Sequence, residues 1–221
     1  MQPFETVSLW ADLAPPEQCA IQSWISEERF GARKIVLKEN APFSGLHILK
    51  SGNVKLVKVC GDKEQILELL GPGDVLDPIP LFDGGAHAVT AKTMTRVSVY
   101  RFTPDAAQQL LARYPSVLNG LLNLVSVRLR KLATLANDLA FKDVSARVCH
   151  VLLEQAVAKD NASSSHLQLE RPLTRQELAA MVGTAREVAW RALKKLEHDG
   201  LIEIHGQHIV IRDAAALASR A

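Results

Sequence analysis

The sequence predicts an α+β protein in three stretches: an antiparallel β barrel or sandwich, a long helix, and a winged helix–turn–helix. Three observations predict it. Short apolar runs cut by Gly, Pro, Asn and Asp fill residues 30–103. Leucine and valine then recur every seven residues from Leu118 to Leu139. Near the C-terminus two helix starts lie ten residues apart and are followed by two alternating apolar runs. The expected boundaries are 1–113, 114–140 and 141–221.

The first ~28 residues read as helical, with Pro15-Pro16 just inside a helix start. Lys34–Leu37, Leu46–Leu49, Val54–Val59, Gln65–Leu70 and Val97–Phe102 read as strands. Turn residues such as Ser51-Gly52-Asn53 and Gly71-Pro72-Gly73-Asp74 separate them, the pattern of an antiparallel barrel or sandwich.

The middle changes period. Leu118, Val125, Leu132 and Leu139 form an a/d seam over about three heptads, with Leu121, Leu122, Leu129, Leu135 and Ala136 between and Pro115 near the start. A narrow 3.5-residue repeat favours a self-pairing helix; a helix packed on its own domain is the alternative. Val144–Val157 reads as a further helix and 159–166 as a polar loop.

Composition bounds the partners. The 221 residues are 48% hydrophobic and 23% charged, as in an ordinary globular protein. A net charge of +2 does not by itself imply nucleic acid or membrane. The longest uncharged stretch, Tyr114–Val127, has 14 residues, short of a membrane span. Met1–Glu5 lacks a basic and an apolar region, so no signal peptide is predicted. Cys19, Cys60 and Cys149 are odd in number and widely spaced, which fits a reducing cytoplasm.

Leu173–Glu197 carries the function. Thr174 with Glu177, and Thr184 with Glu187, read as capping boxes, with Gly183 in the turn between. The first helix is expected to bury Leu178, Ala179 and Val182, the second Val188, Ala189, Ala192, Leu193 and Leu196. Arg186, Glu187, Trp190, Arg191, Lys194 and Lys195 are left on the outer face. From Arg171 to Lys195 six basic and two acidic residues give +4, so the rest of the chain carries −2. A basic stripe on an exposed helix is the electrostatic footprint of DNA binding. Runs around Gly206-Gln207 form the wing.

Arg186 and Arg191 suit bidentate contacts to guanine, and Glu187 suits the cytosine amino group. The alternatives are solvated arginines and a Glu187 that only caps its helix. Lys194 and Lys195 suit phosphate, which positions without specifying sequence. Cys149-His150 side chains diverge by ~100° on a helix and form no catalytic pair. There is no nucleophile elbow, H-E-x-x-H or phosphate loop, which argues against an enzyme.

These residues resemble the DNA-binding domain of the CRP/FNR family of bacterial transcription regulators. LTRQELA, the glycine turn, Arg-Glu-x-x-x-Arg, LKKLEHDGLI and the His-Gly wing carry the likeness. It extends over nearly the whole chain: LKSGNVKLVK, Gly71-Pro72-Gly73-Asp74 and Leu81-Phe82-Asp83-Gly84-Gly85 resemble the family's cyclic-nucleotide-type β-roll. The heptad helix resembles its dimerisation helix, and Leu139–Val144 the hinge after it. The resemblance implies a cytoplasmic homodimer, usually an activator, that binds double-stranded DNA and RNA polymerase. It would read a palindrome with half-sites like TGTGA, its two recognition helices roughly 34–36 Å apart. It implies base reading by Arg186, Glu187 and Arg191, and phosphate contact by Arg175, Gln176, Thr184, Lys194 and His205. Trp190 departs from the family's glycine or serine and would touch a thymine methyl or displace the helix.

The implied effector pocket comprises Asp77, Pro78, Leu81, His87, Leu132 and Ala133. It departs from the cAMP pattern: Asp77-Pro78 replaces the Gly-Glu pair, no Arg or Lys lies between Phe82 and Ala91, and Leu132-Ala133 replaces the adenine-recognising hydroxyls. An unpaired buried charge is costly, which argues against cAMP. A lone Cys19 argues against an iron–sulfur cluster. Haem remains a candidate cofactor through His87, with His47 as the β-roll's other histidine, although a lone histidine is more often simply hydrogen-bonded. Another small apolar or anionic ligand, or none, is the remaining option. Nothing visible lowers the pKa of Cys60 or Cys149 for a sulfur switch.

Overall fold

The computed structural model describes residues 8–10, 13–158, 167–169 and 172–221. Met1–Glu5 and the loop 159–166 lie outside them. The chain divides into two compact units, Met1–Leu132 and Ala133–Ala221.

In the first unit a 3-10 turn (Ser8–Trp10) and helix α1 (Pro15–Gln22) precede the strands β1 (Ile25–Phe30), β2 (Ile35–Leu37), β3 (Leu46–Ser51), β4 (Val54–Cys60) and β5 (Lys63–Leu70). Helix α2 (Ile79–Asp83), strands β6 (Thr90–Thr93) and β7 (Val97–Phe102), and helix α3 (Pro104–Arg113) follow. Helix α4 (Pro115–Phe141) runs from this unit into the next. The strands form two antiparallel sheets, ordered β1-β7-β3 and β2-β6-β4-β5.

The core is explained by the two-residue period of a strand. Leu46 and Ile48 of β3, with Tyr100 and Phe102 of β7, enter a cluster with Trp10, Ile21, Leu110, Val117 and Leu121 from the helices. Leu49 of β3, with Val97 and Val99 of β7, enters a second cluster with Leu37, Val54, Leu56, Leu70 and Leu76. Residues 46–49 of β3 and 97–100 of β7 are therefore buried on both faces, and α4 is rooted through Val117 and Leu121, both fully buried.

The helical expectation for the first ~28 residues is corrected. α1 ends at Gln22, and Ile25–Phe30 pairs with β7 from Ile25↔Phe102 to Phe30↔Val97. This is an edge strand, where charges are usual. Glu27 lies 2.6 Å from Lys50 and Glu28 3.0 Å from Arg101, so polar residues hide the strand in the sequence.

The second unit holds the end of α4, then α5 (Val144–Glu154), β8 (Ala156–Ala158), β9 (Leu167–Leu169), α6 (Arg175–Val182), α7 (Arg186–His198), β10 (Ile202–His205), β11 (His208–Ile211) and α8 (Ala214–Ala218). The helix expected through Val157 stops at Glu154. Ala156–Ala158 instead pairs with β9 and completes the sheet β10-β11-β9-β8. Helices α5, α6 and α7 pack together over Val148, Cys149, Leu152, Leu178, Ala179, Leu193 and Leu196.

Candidate functional site

Helix α6 starts at a formed capping box. The Thr174 hydroxyl accepts from the Glu177 amide at 3.2 Å, and the Glu177 carboxylate accepts from the Thr174 amide at 2.9 Å. The helix stops at Gly183, whose φ of 71° is left-handed and favours glycine. That turn displaces the next helix start, because the Thr184 amide donates back to Ala179. The second expected capping box is therefore absent. Ala185 is the N-cap of α7 with no side-chain cap, and Glu187 stands exposed 3.4 Å from Arg186 Nε. The Thr184 box therefore does not hold Glu187, although its carboxylate still stands in the first turn of α7, where it suits the positive helix end.

Helix α7 separates its faces as its period requires. Ala189, Leu193 and Leu196 are buried and Val188 and Ala192 half-buried, whereas Arg186, Glu187, Arg191, Lys194 and Lys195 are exposed. Lys194 is tied to Glu197 at 2.6 Å, which holds the Glu197 carboxyl below its ordinary pKa. Trp190 is half-buried, with the Arg175 guanidinium carbon 3.5 Å and Lys194 Nζ 5.0 Å from its ring centroid. Arg175 and Gln176 are exposed on the first turn of α6, and Thr184 is half-buried between the helices. A cleft of about 520 Å³ brings together Thr174, Arg175, Gln176, Arg186, Glu187 and Trp190. His205 is exposed on the wing, 3.3 Å from Glu203, which also holds Arg212 at 2.6 Å.

A second cavity, of about 150 Å³, lies in the first unit. Of the expected pocket residues it is lined by Asp77, Pro78 and Leu132. Leu81 instead packs on the helix-side core, and Ala133 is exposed in the other unit. His87 is buried, with Nδ1 3.2 Å from Asp77, Nε2 3.5 Å from the Ser44 hydroxyl and its ring 5.9 Å from Phe43. Asp77 also accepts from the Ala88 amide at 2.9 Å, so its buried carboxylate is satisfied within the protein. His47 is buried too, with Nδ1 3.0 Å from the Gly45 carbonyl, and burial pushes its pKa down to about 4.

The sequence reading missed the cavity's polar edge. Arg128 of α4 lies 2.7 Å from Glu68 and donates at 2.6 Å to the carbonyls of both Val75 and Leu76. Lys131 reaches the same carboxylate at 3.3 Å. The remaining lining is largely apolar: Leu56, Leu67, Leu76, Ile79, Val89, Val125 and Leu129. The signal was the shared face of Val125, Arg128, Leu129 and Leu132 at helical spacing.

These residues do not fit a cyclic phosphate. It would meet the carboxylates of Asp77 and Glu68 while Arg128 is committed to Glu68 and two carbonyls. Nor do they fit haem on His87, whose ring nitrogens face Asp77 and Ser44 rather than the cavity. Among the described residues, no group of three or more His, Cys, Asp or Glu is placed to hold a metal ion, and no helix is long and apolar enough to cross a membrane. Cys149 is buried, which pushes its thiol pKa up and makes a poor nucleophile.

Beyond its buried root, α4 carries a bare apolar stripe. Leu118 and Val125 are half-buried, whereas Leu129, Leu132 and Leu139 are 66%, 42% and 41% exposed.

Comparison with known proteins agrees with this architecture. Residues 27–114 match the model of a cyclic nucleotide-binding domain, and 146–220 that of a Crp-like helix-turn-helix domain. The chain is 30% identical over 214 residues to a CRP-like cAMP-activated global transcriptional regulator of Mycobacterium tuberculosis, covering 96% of each protein. It is similar to the structure of the c-di-GMP responsive global regulator CLP of Xanthomonas campestris, with TM-score 0.74 and 28% identity over 86% of this chain and 95% of that one. A CooA variant of Carboxydothermus hydrogenoformans shares the fold at TM-score 0.78 and 21% identity, over 90% and 89% of the two chains.

Proposed function

The chain belongs to the CRP-like family of transcription regulators, and from that premise we propose a homodimer that reads an inverted-repeat DNA site through α7. One observation carries the reading. Helix α7 buries Ala189, Leu193 and Leu196 while leaving Arg186, Glu187 and Arg191 exposed on its outer face. Arg186 and Arg191 have the fork geometry for guanine, and Glu187 accepts from a cytosine amino group. Arg175, Gln176, Thr184, Lys194, Lys195 and the wing's His205 lie along the phosphates. The bare stripe of Leu129, Leu132 and Leu139 pairs two subunits, and RNA polymerase is the partner of the bound dimer. DNA as target puts the site of action in the cytoplasm.

The effector is a small, mostly apolar molecule rather than a cyclic phosphate or haem. A cavity of about 150 Å³ suits such a ligand, since an apolar cavity of roughly that size holds benzene. Effector binding regulates only through unequal affinity for the DNA-competent and incompetent states.

Selection from a randomised duplex pool tests the reading. The wild type is expected to enrich inverted repeats with TGTGA-like halves. Arg191→Ala should relax one base pair, and Lys195→Ala should weaken all sequences alike and flatten the salt slope by ~1. Recovery of no inverted repeat, or sedimentation as a lone subunit, overturns it.

A further inference from the structure

Trp190 stands where a base reader is expected, yet its surroundings point elsewhere. The indole lines the cleft beside Arg175, Arg186 and Glu187, and also a small crevice with Leu173, Leu193 and Ile204 of the wing. It is half-buried on α7, and Leu178 of α6 and Ile204 of β10 line the same crevice. The guanidinium of Arg175 rests 3.5 Å from the ring centroid, inside the range of a cation–π contact. Among the described residues no ion pair or side-chain hydrogen bond engages the Arg175 guanidinium, so its N–H donors are still to be used.

We infer that Trp190 is a positioning residue for DNA contact: its indole holds the Arg175 guanidinium against the recognition helix, ready for a backbone phosphate. This rests on the DNA-binding reading above. A long arginine normally loses rotamer freedom when it binds. Stacking takes that loss in the free protein, so the contact forms with less ordering left to do. A flat aromatic face suits the planar guanidinium better than any aliphatic side chain. Phosphate contacts carry no sequence information, so the stack sets affinity and leaves base choice to other residues.

The test uses the full-length chain and the duplex that the wild type selects, with single-base-pair variants of it, titrated at several salt concentrations. Trp190→Leu keeps apolar bulk without an aromatic face, and Trp190→Phe restores the face. Trp190→Leu is expected to weaken every duplex by the same factor, roughly three- to thirtyfold. Its base preferences should be unchanged and its salt slope smaller by up to ~1. Trp190→Phe should recover most of the affinity. Arg175→Met should cost much less in the Trp190→Leu background than in the wild type, a coupling that a merely structural tryptophan would not show. Thermal melting of each variant separates loss of fold from loss of contact. Relaxed preference at one base pair in Trp190→Leu overturns the inference, because the indole itself would then read a base. An equal cost of Arg175→Met in both backgrounds also overturns it. A wild type that binds no duplex overturns the DNA reading instead.

Discussion

Acid should destabilise the first unit through one histidine. His47 sits on the doubly buried strand β3, 4% exposed. Desolvation is the larger influence on it and pushes its pKa from 6.5 to about 4, although its bond to the Gly45 carbonyl opposes the shift. The folded state therefore prefers neutral His47, while the unfolded chain takes up a proton near pH 6.5. Stability is intact above that pH and falls as pH drops towards 4. Linkage puts the loss at about 1.4 kcal/mol at pH 5.5, about 2.5 kcal/mol at pH 4.5 and roughly 3 kcal/mol at pH 4. His47→Gln removes the titrating group. Urea unfolding of both proteins at pH 7, 5.5 and 4.5 measures the difference, so that carboxylates common to both cancel. The gap between wild type and variant should shift in the variant's favour by about 2.5 kcal/mol from pH 7 to pH 4.5. Parallel stability curves would refute the reasoning.

Three further outcomes follow from the geometry. Arg128→Met should cost about 2–4 kcal/mol in urea unfolding, because Glu68 and two carbonyls lose their partner; Arg128→Met with Glu68→Gln should recover part of it, and an unchanged midpoint would contradict the role given to the pair. Leu129→Glu with Leu132→Glu should turn a sedimenting dimer into a folded monomer and abolish inverted-repeat binding, since both side chains are exposed on the stripe. A thiol reagent should modify exposed Cys19 and Cys60 in the native protein and reach buried Cys149 only on unfolding; immediate reaction of all three would contradict the packing of α5.

Much of this architecture is legible in the sequence wherever one face of an element is buried. Val54 and Leu56 of β4, and Ala189, Leu193 and Leu196 of α7, display their periods directly because the core accepts them at those spacings. β1 is hidden because Glu27, Glu28 and Arg29 mask its alternation. Ala156–Ala158 continues an apolar helical pattern, and only a partner strand eleven residues on makes it a strand. Thr184 misses its cap because the left-handed Gly183 moves the helix start by one residue, a tertiary adjustment no short motif encodes. The same holds for the cavity. Asp77, Pro78 and Leu132 are legible by likeness, but Arg128 gains its meaning from Glu68, sixty residues earlier in the chain.

Strand β3 has one more implication. Ile48 and Leu49 are joined by a peptide bond and face opposite cores, one holding the root of α4, the other containing Leu56 and Leu76 from the cavity wall. Interiors packed as tightly as crystals have no slack to absorb a shift on one side alone. The strand is a party wall between them, so a change of side-chain volume at Ile48 or Leu49 is expected to disturb the packing on both of its sides.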